Sequence, residues 1–418
     1  MKLAKLSLAA MVVAGLATSS FAADTLADAF AKGKVSGELK AWYFDRDTEG
    51  GFEGDIINTG LTLGYVTDTL YGFYMGATFQ SSFAPWIDDD GRDTFAGDEW
   101  ASGAVLSEAY LGYKMKNTNV KIGRQFISTP LFNGSGSRFI KESFQGATIV
   151  NTDLPNTTLI AGYVNKFQGR TSSVAGNPRG DAPDFEKGAV FAGVGHAYFD
   201  DAYTAAIINK SIKGLTLTGQ YAFVGDVADA ENVHVYHVEA NYVVPVSSFK
   251  LGLDAVYRAS DTDLTISGVG YEGSYFGGRI SIIDLGGFGA SFAMAKSDKH
   301  DNLVAGMGNG ADNLYTGTVI RGGGITYAYD TESYLFEASY DFSKVGVQGL
   351  KLLGQYAYAE QDRSPNDVEY TTYHIGASYD VAALKGLSLG LQYETQEKEV
   401  GKSDTDTDEV RFRANYKF

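Results

Sequence analysis

The chain is 418 residues long, holds no cysteine and only seven prolines, and carries a formal net charge of −17 at pH 7. The missing cysteines exclude a disulfide scaffold, and no nucleic acid is expected among the partners of so acidic a chain. Glycine, at 51 residues, exceeds its usual share of about 7%, and it accompanies 27 tyrosines and 25 phenylalanines. With a slightly negative mean hydropathy, that mixture fits alternating strands better than a soluble core.

The first stretch, Met1-Lys2-Leu3-Ala4-Lys5, leads into an apolar run to about Ala17 and then Ser20-Phe21-Ala22, a small-x-small cleavage signal. This reads as a secretory signal peptide over 1–22. Its removal would take away Lys2 and Lys5 and no acid, moving the charge from −17 to −19. The mature chain, 23–418, has no apolar run of the ~18 residues that a membrane helix needs.

From Val35 onward apolar and polar residues alternate, the signature of strands whose successive side chains face opposite ways. Val35, Gly37, Leu39, Ala41 and Tyr43 face one way; a charged loop follows, with strands over 55–66 and 70–80 around the turn Thr67-Asp68-Thr69. Long polar connections and short turns keep alternating through strands at 104–114, 120–126, 144–150, 157–166, 203–209, 215–223, 233–243 and 249–258. The series ends with 275–283, 288–295, 334–342, 350–358, 369–380, 387–395 and 410–418. Eighteen strands result, an even number, as expected of a single-chain outer-membrane barrel with long extracellular loops and short periplasmic turns. The segments 189–198 and 325–329 are also strand-like and are assigned to loops, which preserves the short-long rhythm. One all-β transmembrane barrel accounts for 23–418.

The closing strand, Val410-Arg411-Phe412-Arg413-Ala414-Asn415-Tyr416-Lys417-Phe418, puts its aromatic face towards lipid and its arginines into the wall of the lumen. Its terminal phenylalanine is similar to the signal by which such barrels engage the outer-membrane assembly machinery. Rows such as Leu251, Leu253 and Tyr257 read as lipid contacts, and tyrosines near strand ends fit an interfacial girdle. Inward rows are polar or small, which predicts a wet lumen rather than a filled one. By parity Lys40, Arg258, Arg279, Arg411 and Arg413 point inward, where cations attract anions; pairing with inward acids such as Glu38, Glu108, Asp254 and Glu337 is the plainer role for each.

The passage 122–146 (Ile122-Gly123-Arg124-Gln125-Phe126 through Ser135-Gly136-Ser137-Arg138-Phe139-Ile140-Lys141 to Phe144-Gln145-Gly146) resembles the third-loop region of OprD-type porins. The turn and strand at 151–163 and the opening Leu39-Lys40-Ala41-Trp42-Tyr43 look like the same family, and the chain also resembles major porins of ε-type bacteria. The resemblance implies eighteen strands, an inward loop that narrows the pore, often a homotrimer, and passage of small carboxylate-bearing or basic solutes along a basic ladder. Carried over by position, Arg138 and Lys141 would lie in the constriction, with Arg124 at its root, where its outward parity calls for a bulge or a rim position. The acidity of the chain points to a weak cation preference.

Other chemistry finds little footing. The five histidines are scattered, no Gly-x-Ser-x-Gly elbow occurs, and no catalysis or resident cofactor is expected. The acids Asp88-Asp89-Asp90 and Asp404 to Glu409 could take Ca²⁺ through oxygen ligands, but they lack EF-hand spacing and read better as solvated loops; Ca²⁺ there would bridge to lipopolysaccharide. The expected function is passive diffusion of small hydrophilic solutes or ions. The alternative is a structural or adhesive barrel plugged by 167–201 or 296–331.

Overall fold

In the computed structural model, residues 23–51, 53–172, 179–228, 231–312, 314–322 and 324–418 are described. The expected signal peptide, 1–22, lies outside them. Among the described residues eighteen strands close into one antiparallel barrel. They begin with β1 (Lys34–Thr48), β2 (Gly54–Val66), β3 (Phe73–Ile87), β4 (Gly103–Met115), β5 (Thr118–Gln125) and β6 (Ser143–Asn151). Next come β7 (Thr157–Gln168), β8 (Ala202–Asn209), β9 (Leu215–Val227), β10 (Glu231–Val246), β11 (Phe249–Asp261) and β12 (Ser274–Leu285). The last six are β13 (Phe288–Ser297), β14 (Thr331–Asp341), β15 (Leu350–Gln361), β16 (Val368–Asp380), β17 (Leu387–Val400) and β18 (Ser403–Lys417).

Closure comes from β1, which pairs with β2 on one side and with β18 on the other. In that seam Tyr43 faces Phe412 and Trp42 faces Arg413, so one parity presents aromatics to lipid and the other sets Trp42 beside a lumenal arginine. The pleat enforces this division: Ile122 is 60% and Leu391 54% exposed on the outer wall, while Arg411 on the inner wall is 1% exposed. A closed barrel leaves no unpaired edge, the condition for backbone polar groups to cross hydrocarbon.

With short turns at the periplasmic end, the long connections gather at the opposite end, and described residues of four of them, within 88–102, 126–142, 179–201 and 298–330, pack against the inner wall. The segments assigned to loops stay out of the wall: 188–192 and 195–198 form a small hairpin joined by Gly306–Met307, and 325–329 is mostly a 3₁₀ turn. Loop side chains Leu131, Phe132, Phe191, Phe199, Val304 and Met307 build an apolar core against Phe144, Phe167, Val224 and Val235 of the wall. That core occupies the β6–β10 side, and a smaller cluster of Trp42, Phe44, Ile56, Phe95 and Phe139 lies against β1 and β2.

One expectation needs correction. Asp404 to Glu409 belong to β18, which starts at Ser403, so these acids lie on a strand rather than in a loop. The strands run on beyond the apolar band because backbone groups satisfy the ladder there too and the polar side chains face water. β5 and β6 are conversely short, and the wall above them is completed by residues 181–186: Ser102 bridges Asp181, and Phe185–Glu186 pair with the end of β7. At this corner Gly123 has φ +128, and a Cβ there would meet the Ala109 carbonyl oxygen at 2.2 Å. Only glycine fits.

Candidate pore constriction

Loop 126–142 crosses the lumen because both its apolar side chains and its backbone find partners inside. Leu131 N–H donates to Gln220 Oε1 of β9 at 3.0 Å, and Arg258 of β11 donates to the Pro130 carbonyl at 3.3 Å. On the far side Lys40 of β1 donates to the Phe139 carbonyl at 2.7 Å, Gln80 of β3 clasps Lys141 through its backbone, and Arg413 of β18 donates to the Ser137 carbonyl at 2.8 Å. Loop 298–330 forms a second strap. Glu394 of β17 accepts the Thr318 hydroxyl and the Ile320 and Arg321 N–H groups at 2.9–3.2 Å, while Glu142 accepts from Asn309 at the other end.

Where the straps meet the β18/β1 seam, arginines converge. Arg138 clasps Asp98 of loop 88–102, which also binds Arg46 at 2.7 Å and lies 3.7 Å from Arg170. Glu409 takes Arg411 at 2.6 Å, Arg46 at 3.0 Å and Arg321 at 3.5 Å. Arg170 reaches Glu142 at 3.3 Å. The guanidinium planes also lie against rings, Arg411 4.7 Å from Phe44 and Arg413 4.6 Å from Trp42. Six guanidinium groups thus face five carboxylates, Asp98, Glu99, Glu142, Glu394 and Glu409. Arg411 Nη2, Arg413 Nε and Arg321 Nε are buried nitrogens with neither a hydrogen-bond nor an ion-pair acceptor among the described residues.

The loop groups are strongly perturbed. Burial would raise Asp98, but Arg138, Arg46 and Arg170 outweigh it and hold this carboxyl well below the usual range. For Glu99 burial wins, reinforced by Asp98 and only partly offset by Arg138, and its pKa is pushed up to about 7. Burial lowers Lys141, Arg170 and Arg321. A carboxylate shared by several cations stays charged; one buried beside another acid does not.

The residues singled out from sequence divide into four groups. Arg138, Arg411 and Arg413 meet in the cluster. Lys141 lies beside it, with its ammonium 4.4 Å from the Phe126 ring. Arg258 and Arg279 point inward but act as struts: Arg258, 2% exposed, donates to the Ala305, Ala311 and Pro130 carbonyls, and Arg279 grips Asp254 at 2.7 Å. Arg124 stays on the outward parity of β5, opposite Ala109 with no register shift between β4 and β5. The bulge needed to turn it inward is absent from that pairing. Of the inward acids, Asp254 pairs with Arg279 and Glu38 lies 3.8 Å from Lys417, whereas Glu108 and Glu337 accept from Thr78 and Gln355. Arg46, Arg170 and Arg321 were not anticipated, since two sit in long loops and Arg46 lies above the recognised first strand. The acids offered for Ca²⁺ do not converge: among the described residues no three His, Cys, Asp or Glu side chains form a metal-holding group.

A closed eighteen-strand barrel with a lipid-facing apolar wall and a charged, loop-narrowed lumen defines an outer-membrane diffusion channel. The chain belongs to the OprD family: the profile described as outer membrane porin, OprD family, matches residues 81–418. Solved structures share the fold. Pseudomonas aeruginosa OccK3 (OpdO) is 19% identical, with 94% of this chain and 97% of that chain covered at a TM-score of 0.75. Acinetobacter baumannii OccAB3 is 16% identical, with 93% and 99% covered at a TM-score of 0.76. No curated protein sequence matches it. The protein is an outer-membrane porin that lets small solutes diffuse across the bacterial outer membrane.

Proposed function

We propose that this porin favours small anions at its constriction, although the chain as a whole is acidic. The observation that carries the reading is the excess of guanidinium groups over carboxylates at the β18/β1 seam, with three buried guanidinium nitrogens lacking an acceptor among the described residues. Selectivity follows the charges at the narrowest point, not the net charge of the molecule. This reading replaces the weak cation preference drawn from composition. Transport is passive and involves no bond-making step. The protein is exported through its 1–22 leader, inserted through its terminal strand, and assembled as a homotrimer, as the sequence and family suggest. Loops 169–201 and 298–330 act here as struts that shape the pore, in place of the plug of an adhesive barrel.

Reconstitution into planar bilayers under a KCl gradient tests the proposal. A reversal potential of the sign set by chloride supports it; one set by potassium overturns the anion preference.

A further inference from the structure

The outer surface of the extracellular rim is divided by charge. Along β14 to β18 one cross-strand row reads Glu332, Glu360, Glu369, Glu399 and Asp404. On β5, β6 and β7 a corresponding row reads Arg124, Gln145 and Lys166. The basic row sits directly above the lipid-facing row Ile122, Ala147, Tyr163 and Tyr203, whose tyrosine rings lie 5.2 Å apart. Tyrosines of this kind mark the membrane–water boundary, so Arg124 and Lys166 stand at the height of the outer-leaflet headgroups.

Neither cation has an acidic partner among the described residues. Arg124 donates to the Leu106 carbonyl at 3.3 Å and its guanidinium rests 4.4 Å from the Phe185 ring. That ring holds the guanidinium plane and leaves its other N–H groups uncommitted. Of the acids on this side, Asp200 binds Lys187, Asp201 accepts the Tyr163 hydroxyl at 2.8 Å and Glu186 lies 3.7 Å from His196. Cations on the lipid face of a barrel are unfavourable at mid-membrane and tolerated near the interface, where anionic headgroups attract them. The guanidinium fork matches phosphate geometry, and lysine adds a mobile point charge. Two strand spacings separate the residues, about 10 Å at the backbone, within reach of side chains converging on one phosphate group.

We propose that Arg124, Gln145 and Lys166 form a docking site for the phosphate of a phosphorylated glycolipid in the outer leaflet. The acidic arc across the barrel repels the same headgroup, so the site orients the lipid shell around one side of the porin. This assignment concerns the outer surface and stands apart from the ion preference of the lumen.

The test measures binding of lipid A to the full-length mature porin in detergent by native mass spectrometry, with phosphate-free lipid A and inorganic phosphate as comparison probes. Wild type is expected to retain phosphorylated lipid A roughly tenfold or more better than the phosphate-free form, and the Arg124→Ala/Lys166→Ala double variant to lose that difference. The Arg124→Lys/Lys166→Arg variant keeps both charges and is expected to retain most of the binding. Heat-modifiable migration in SDS shows that each variant is folded, and single-channel conductance of Lys166→Ala reports the lumen separately. Equal retention by wild type and the double variant overturns the proposal. So does equal retention of phosphate-free lipid, or binding of inorganic phosphate as tightly as the lipid.

Discussion

Arg413 of the closing strand donates to the carbonyl of Ser137 in the constriction loop at 2.8 Å. The two residues lie 276 positions apart. One side chain therefore sits in the closing seam and anchors the loop, and under the proposed anion preference its charge faces the solute path. Arg413→Ala is expected to reduce chloride preference and to make single-channel currents noisier, because Ser137 loses its anchor. Arg413→Gln separates the two effects: it keeps a donor while removing the charge. An unchanged reversal potential in Arg413→Gln would show that this arginine does not set selectivity.

Asp98 organises Arg46, Arg138 and Arg170. Asp98→Ala leaves these guanidinium groups mutually repelling in a mostly buried setting, where breaking such a pair costs about 3 kcal/mol. The folded form should convert to the denatured one in SDS at a lower temperature than wild type. Arg138→Ala removes one repelling charge together with its partner's best contact, so the expected loss is smaller, and reversal potential should move towards potassium.

Glu99 gives the constriction a pH dependence. Its folded pKa of about 7 lies above the ordinary 4.5, so between these values the folded protein holds a proton that the unfolded chain releases. This group's contribution to stability is therefore greatest below 4.5 and falls as pH rises through 7. Deprotonation across neutral pH also adds a negative charge beside Arg138, so chloride preference should fall as the solution becomes more alkaline. Reversal potentials of wild type should follow this titration, and those of Glu99→Gln should stay flat.

Arg258 sits far from the carboxylates of the seam and bonds three loop carbonyls, those of Pro130, Ala305 and Ala311. Arg258→Met keeps the bulk and removes the bonds. Both straps should loosen, raising conductance fluctuations with little change in reversal potential. A shift in selectivity as large as that of Arg413→Gln would place Arg258 on the solute path.

The barrel was legible because strand formation is local and periodic. Alternation at Val410 to Phe418 assigns each side chain to lipid or lumen wherever that strand lies, since the pleat has a period of two. The same parity placed Arg258, Arg279, Arg411 and Arg413 inward and Arg124 outward. Parity says nothing about what meets an inward residue across the lumen. Arg258 became a strut because loops 126–142 and 298–330 happen to end their turns against it, and Arg411 became part of a cluster because Glu409 is shared with Arg46 and Arg321. Those contacts join distant parts of the chain through irregular loops, which carry no period to read. The alternating sequence by itself determined an eighteen-strand wall and the sign of each face; only tertiary packing decided which charges share the narrowest point, because Coulomb interactions depend on distance in space rather than order along the chain.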